Sequence, residues 1–197
     1  MTEQGDNQAY SFYHTTDNLE ATRILMSVYI SLYARCGTVL DIGCGPGTFL
    51  ELLHAQNGAQ TLIGVDNDQA MVNRSREKGF DARLCRVQEL SVAVTEAVDG
   101  IYAGHIIEHL NGSEALDFVT VCFAKLNPGG ILVLRTPNWS VPYVRDEGFW
   151  LDLSHIRPYP ARLLDKMLVE TGFVNVRTFA ENSGLHDTVA IGVKGID

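Results

Sequence analysis

The chain has 197 residues, 46% hydrophobic and 20% charged, an ordinary balance for a single globular domain with a real core. Its net charge of −9, from 24 acidic and 15 basic residues, argues against nucleic acid as a partner, because phosphate backbones call for a basic footprint. No apolar stretch approaches the roughly 20 residues that span a bilayer, and the polar start MTEQGDNQAYSFYH has no basic-then-apolar signal pattern, so a cytoplasmic location is expected.

In chain order, Asp17 with Glu20 three residues later has the form of a capping box, and Leu19, Ile24, Leu25, Val28, Tyr29 and Leu32 then line a predicted helix. The run TVLDI (38–42) reads as a buried strand, and Phe49, Leu50, Leu52 and Leu53 share one face of the helix that follows, stopping near Asn57-Gly58. TLIGVD (61–66) is a second strand, followed by a polar helix to about Lys78-Gly79. Further strands are expected at 81–87, 99–106 and 131–136, with a helix capped by Ser113 before the turn NPGG. The segment 137–160 breaks the rhythm, holding four of six prolines and both tryptophans. A helix from 161 to 171 and strands at 173–179 and 187–193 complete the pattern. Strands alternating with helices predict one doubly wound α/β domain over 1–197, Rossmann-like, with a seven-stranded, mostly parallel sheet and an antiparallel edge. Its expected parts are an N-terminal helix (17–35), a cofactor-binding core (36–136), a substrate loop (137–160) and a C-terminal helix with strands (161–197). Cys36, Cys44, Cys85 and Cys122 form no C-x-x-C pair and read as buried thiols in a reducing compartment.

The turn DIGCGPGT, between the first strand and its helix, suits close approach of a ligand to the backbone. No G-K-[ST] follows, which excludes a Walker phosphate loop. A nicotinamide dinucleotide is disfavoured by Asp41, whose carboxylate would repel a pyrophosphate but would suit a sulfonium or an ammonium group. Asp66 closes the second strand, where an acid can accept hydrogen bonds from both ribose hydroxyls.

Together VLDIGCGPG, GVD, IIEHL and LNPGGILVL resemble, in order and spacing, the class I S-adenosylmethionine-dependent methyltransferases, over about residues 35 to 193. The resemblance implies S-adenosylmethionine as cofactor. It implies that Gly43, Gly45 and Gly47 admit it, that Asp41 lies near its amino group, and that Asp66 binds the ribose. Asn67 would lie against the adenine. Many relatives carry an aspartate after the third strand that meets the adenine amino group. Arg86 stands there in this chain, which leaves the backbone at Val87 to read the base edge.

GHIIEHL places His105, Glu108 and His109 at i, i+3 and i+4, on one face if the turn is helical, with His105 expected to line the site. TPN…FWLDLSHIRPYP resembles the subset acting on sugars and surface glycans, such as the enzymes that cap O-antigen chains. That resemblance puts Asn138, Trp150, Asp152, Arg157 and Tyr159 on the acceptor side and makes His155 the base, with His105 and His109 as further catalytic candidates. YSFYH, near the start, loosely fits the same group. A competing resemblance is to RNA 3′-terminal 2′-O-methyltransferases, in which His105, Glu108, His109 and His155 would hold a metal; the primary expectation is no metal. A different small-metabolite hydroxyl is the rival acceptor, and a binding module without turnover the rival class.

Overall fold

The computed structural model describes residues 19–58, 60–181 and 186–196, so Asp17 and YSFYH lie outside the described residues. Five strands run parallel: β1 (Thr38–Ile42), β2 (Thr61–Asp66), β3 (Asp81–Leu84), β4 (Val98–Gly104) and β5 (Leu126–Pro137). β6 (Phe173–Ala180) and β7 (Asp187–Lys194) complete a seven-stranded sheet of order β3-β2-β1-β4-β5-β7-β6. β7 enters between β5 and β6 and is antiparallel to both. The expected α/β sheet with an antiparallel closing hairpin is therefore what forms.

Both faces of the central strands are buried, and alternate side chains feed two cores. Leu40, Ile42, Ile101, Ala103, Leu132 and Leu134 join one. Val39, Tyr102 and Val133 join the other, with Phe49, Leu50 and Leu53 of α2 (Thr48–Asn57). There the rings of Phe49 and Tyr102 stack at 4.0 Å. α1 (Leu19–Ser27) and α3 (Gln69–Glu77) lie in the N-terminal half, and α4 (Gly112–Lys125) and α5 (Ala161–Thr171) follow β4 and the irregular segment.

Several local expectations shift. In and after α1, Leu25 and Tyr29 are buried, while Ile24, Val28 and Leu32 are exposed, so the apolar face is narrower than the spacing suggests. β3 stops at Leu84 instead of 87. α4 is capped by Asn111, not Ser113. The Asn111 Oδ1 accepts from the amides of Ser113 and Glu114, and Glu114 reaches back to the Asn111 amide, the reciprocal pairing that fixes a helix start. NPGG is the irregular beginning of β5, not a turn before it. All four cysteines are free, three buried and Cys36 half-buried.

Candidate cofactor and acceptor site

The carboxyl ends of β1, β2 and β4 converge on the glycine turn. Gly43, Gly45 and Gly47 all have positive φ, at 74°, 51° and 79°, a region that disfavours side chains. A Cβ at Gly43 would come within 2.3 Å of Ile106 Cδ1, and one at Gly47 within 2.7 Å of Ser75 Oγ. At Gly45 a Cβ would meet nothing within 4 Å. The turn is thus closed on two sides and open at Gly45.

Asp66 fastens this turn. Its Oδ2 accepts from the Gly45 amide at 2.8 Å and its Oδ1 from the Asp68 amide at 2.9 Å. Asp41 is buried and accepts no hydrogen bond from the described residues. Burial, then the neighbouring charge of Asp66, pushes the Asp41 carboxyl well above the usual carboxylate range. Burial also raises Asp66, against the pull of its backbone donors. Two buried acids beside an open, glycine-lined turn suit a cationic ligand that approaches the main chain, and S-adenosylmethionine carries both a sulfonium and an ammonium. Asn67 is exposed at the tip of β2, and Val87 opens a short helical turn (Val87–Glu89) after β3, beside exposed Arg86.

His105, Glu108 and His109 do not share a helical face. His105 has a left-handed backbone, φ 57°, and only Ile107–His109 form a single 3₁₀ turn. His105 points instead into a line of charges: Nδ1 lies 3.0 Å from Glu108 Oε1 and Nε2 3.1 Å from Asp187 Oδ2. Asp187 also accepts from Arg135 Nη2 at 2.6 Å. Arg135 further reaches Glu181 at 3.2 Å and the Tyr102 hydroxyl at 3.0 Å, and Tyr29 donates to Glu181. Glu108 is fully buried and its Oε2 accepts from Thr136 at 3.0 Å. Burial alone would lower the pKa of His105, but Asp187 and Glu108 overcome it and raise it to about 10. At neutral pH His105 is an imidazolium with both nitrogens engaged, which removes it as a general base.

His109 and His155 are differently placed. The Ser154 hydroxyl donates to Asp152 Oδ1 at 2.6 Å, so it accepts from His109 Nδ1 at 3.0 Å. His155 Nδ1 donates to the Phe149 carbonyl at 2.7 Å. In each ring Nδ1 is thereby the donor nitrogen of these bonds. The two rings lie 4.9 Å apart, and His155 Nε2 is 3.7 Å from Asp152 Oδ2. Burial lowers the His155 pKa against the opposing pull of the Phe149 carbonyl, which favours the neutral ring. Donor atoms of Glu108, His109 and His155 all lie within 4.8 Å of one another and could hold a metal ion; His105 stands outside that group.

The other acceptor-side residues separate. Asn138 is buried and shapes the loop, its Oδ1 accepting from the amide and hydroxyl of Ser140. Trp150 is largely exposed and donates from Nε1 to the Arg145 carbonyl at 2.9 Å. Arg157 is exposed, its guanidinium carbon 5.0 Å from the centre of the Tyr159 ring. Tyr159 lies in the core, its hydroxyl 2.7 Å from the Leu110 carbonyl and 3.0 Å from that of Asn111, so it fastens the segment to the start of α4 and does not line a pocket.

Sequence reasoning missed Arg135, Asp187 and Glu181. The available signal was a charged residue inside the apolar run ILVLRT: an arginine buried in a central strand must have carboxylate partners.

A family profile described as a methyltransferase domain matches residues 22–178, and the chain belongs to that family. The buried acids and the glycine turn fit S-adenosylmethionine. The chain is 36% identical over 108 residues to trans-aconitate 2-methyltransferase of Delftia acidovorans, covering 53% of this chain and 40% of the relative. It is 33% identical over 150 residues to a probable S-adenosylmethionine-dependent methyltransferase of Mycolicibacterium smegmatis, covering 74% and 56%. It therefore spans about half the length of the curated relatives it matches. Among solved structures, a SAM-dependent methyltransferase from Archaeoglobus fulgidus superposes with a TM-score of 0.80 at 24% identity, covering 89% of this chain and 94% of that one, a likeness of fold.

Proposed function

We propose that the protein transfers the methyl group of S-adenosylmethionine to a hydroxyl oxygen, with a saccharide or glycan as acceptor. One observation carries the hydroxyl assignment: His155 is held through Nδ1 by the Phe149 carbonyl, its pKa lowered by burial, with Nε2 3.7 Å from Asp152 Oδ2. A hydroxyl nucleophile gains from a base during attack, whereas a carboxylate or phosphate oxygen does not. Proton uptake at Nε2 creates an imidazolium that Asp152, 3.7 Å away, stabilises. The cofactor supplies an activated methyl on sulfur; the protein's part is to align acceptor oxygen and methyl and to remove the proton. What supports the saccharide assignment is the resemblance of the segment TPN…FWLDLSHIRPYP to the subset acting on sugars and surface glycans.

A smaller hydroxylic metabolite is the second reading, favoured by exposed Leu151, Leu153 and Ile156 on the same segment and by 32% identity over 165 residues to human ubiquinone biosynthesis O-methyltransferase. Metal assistance through Glu108, His109 and His155 is the variant in which His155 Nε2 binds an ion instead of a proton.

The test is incubation of the full chain with methyl-labelled S-adenosylmethionine and fractionated host lysate. Label in glycan or sugar fractions supports the saccharide reading, and label confined to lipid or small-molecule fractions replaces it. Activity abolished by a chelator and restored by a divalent ion selects the metal-assisted variant.

A further inference from the structure

A second polar feature lies across the aromatic wall from His155. A cavity of about 230 Å³ is lined by Asn138, Trp139, Ser140, Pro160, Ala161, Ala180 and Thr188. It joins the catalytic segment through contacting rings: Trp139 meets Phe149 edge-on at 5.4 Å, and Phe149 lies 4.5 Å from His155. Thr188 directly follows Asp187, the partner of His105.

Several of its donors have no partner among the described residues. Thr188 is 2% exposed, and its hydroxyl makes no hydrogen bond with the described residues. Asn138 is 7% exposed; its Oδ1 is taken by Ser140, and its Nδ2 amide has no partner among the described residues. Pro160 and Ala161 form the start of the 11-residue α5. That start has no side-chain cap and no acid in its first turn, although proline cannot supply the capping oxygen that serine or aspartate would. The Pro160 carbonyl accepts from the amides of Leu163 and Leu164, and the amides of Ala161 and Arg162 have no described acceptor. Free amides at the positive end of a helix dipole favour an anion. Thr188 and Asn138, each more than nine-tenths buried as a residue, line the facing strand and loop with a hydroxyl and an amide Nδ2 that no described residue meets, which favours an acceptor-rich group. Among the described residues, no acidic side chain lines the cavity.

We propose that this cavity seats a carboxylate of the methyl acceptor, with the first amides of α5, Asn138 Nδ2 and the Thr188 hydroxyl as its donors and Trp139 as the wall toward the transfer site. The proposal rests on the acceptor reading above and adds that the acceptor is acidic.

Amide NMR titration of the full chain with succinate and with its neutral isostere succinamide tests it without methyl transfer. Saturable shifts of the Ala161 and Arg162 amides and the Asn138 side-chain amide are expected with succinate and not with succinamide. Thr188→Val, which keeps shape, should weaken the response about three- to tenfold, the usual loss for one hydrogen bond. Asn138→Ala is the second variant and should do the same. Absence of saturable shifts, equal shifts with succinamide, or unchanged affinity in both variants would overturn the carboxylate seat. Succinate binding with no label in any sugar fraction would leave the seat standing and remove the saccharide reading.

Discussion

His105 Nε2 and Asp187 Oδ2, 82 positions apart in the chain, lie 3.1 Å from each other and join the loop after β4 to the start of β7. On the other side of His105 stands Glu108, and beyond Asp187 stand Arg135 and Glu181, so charges alternate in sign along the row. Three carboxylates against two cations leave the row electron-rich, with fully buried Glu108 at the end nearest His109 and His155. Such a row keeps its geometry only while each member stays charged.

The first expectation concerns pH. The folded pKa of His105, about 10, lies above the usual value of about 6.5. Its contribution to stability is therefore full below about pH 6.5 and is lost as pH rises toward about 10. The His105 side chain is 42% exposed, so solvent screens part of the effect. NMR titration of the His105 ring should show a proton retained well above neutrality, and Asp187→Asn should move that midpoint down. A midpoint near 6.5 in the parent would refute the assignment.

Asp66 has two duties, holding Gly45 and Asp68 and, on the family likeness, meeting the ribose. Asp66→Ala should weaken cofactor binding by about 1–3 kcal/mol, the cost of losing a charged hydrogen-bonding partner. Calorimetry with S-adenosylmethionine reads this directly, and unchanged affinity would remove the ribose role.

Gly45→Ala separates backbone strain from ligand clearance. With φ at 51° and no protein atom within 4 Å of the new Cβ, the fold should lose only about 1–2 kcal/mol from the left-handed backbone. Cofactor affinity should fall about tenfold or more, because the methyl enters the open side of the turn. Thermal unfolding with and without cofactor distinguishes the two losses.

His155→Ala should abolish methylation of a hydroxyl acceptor by about 10²–10⁴-fold while sparing cofactor affinity, as expected for removal of a general base. Equal turnover on a hydroxyl acceptor would exclude His155 from the chemistry.

Tyr159→Phe should leave turnover intact and cost about 1 kcal/mol of stability, since among the described residues the hydroxyl bonds only the Leu110 and Asn111 carbonyls. A large change in acceptor KM without a stability change would return Tyr159 to the acceptor side.

The sheet was legible in the sequence because its strands are short apolar runs separated by helical periodicity, and the glycine turn because DIGCGPG joins a strand to a helix. The acceptor side was legible only by residue type. His155 and Asp152 do meet, but Tyr159 faces the core, because a tyrosine can hide its ring wherever a carbonyl receives its hydroxyl. His105 misled for a different reason. Its partner Asp187 lies on β7, and no local pattern relates the two; only the insertion of β7 beside β5 brings them together.

That insertion also sets the order in which the molecule can be completed. β6 is translated before β7, yet its sole neighbour among the described strands is β7. Until β7 emerges, β6 has no strand to join, β5 keeps an open edge, and Arg135 and His105 lack Asp187. The final strand acts as a keystone: the strand that covers the edge of β5 also brings Asp187 to Arg135 and His105, so a chain without β7 lacks both the finished edge and the middle of the charge row.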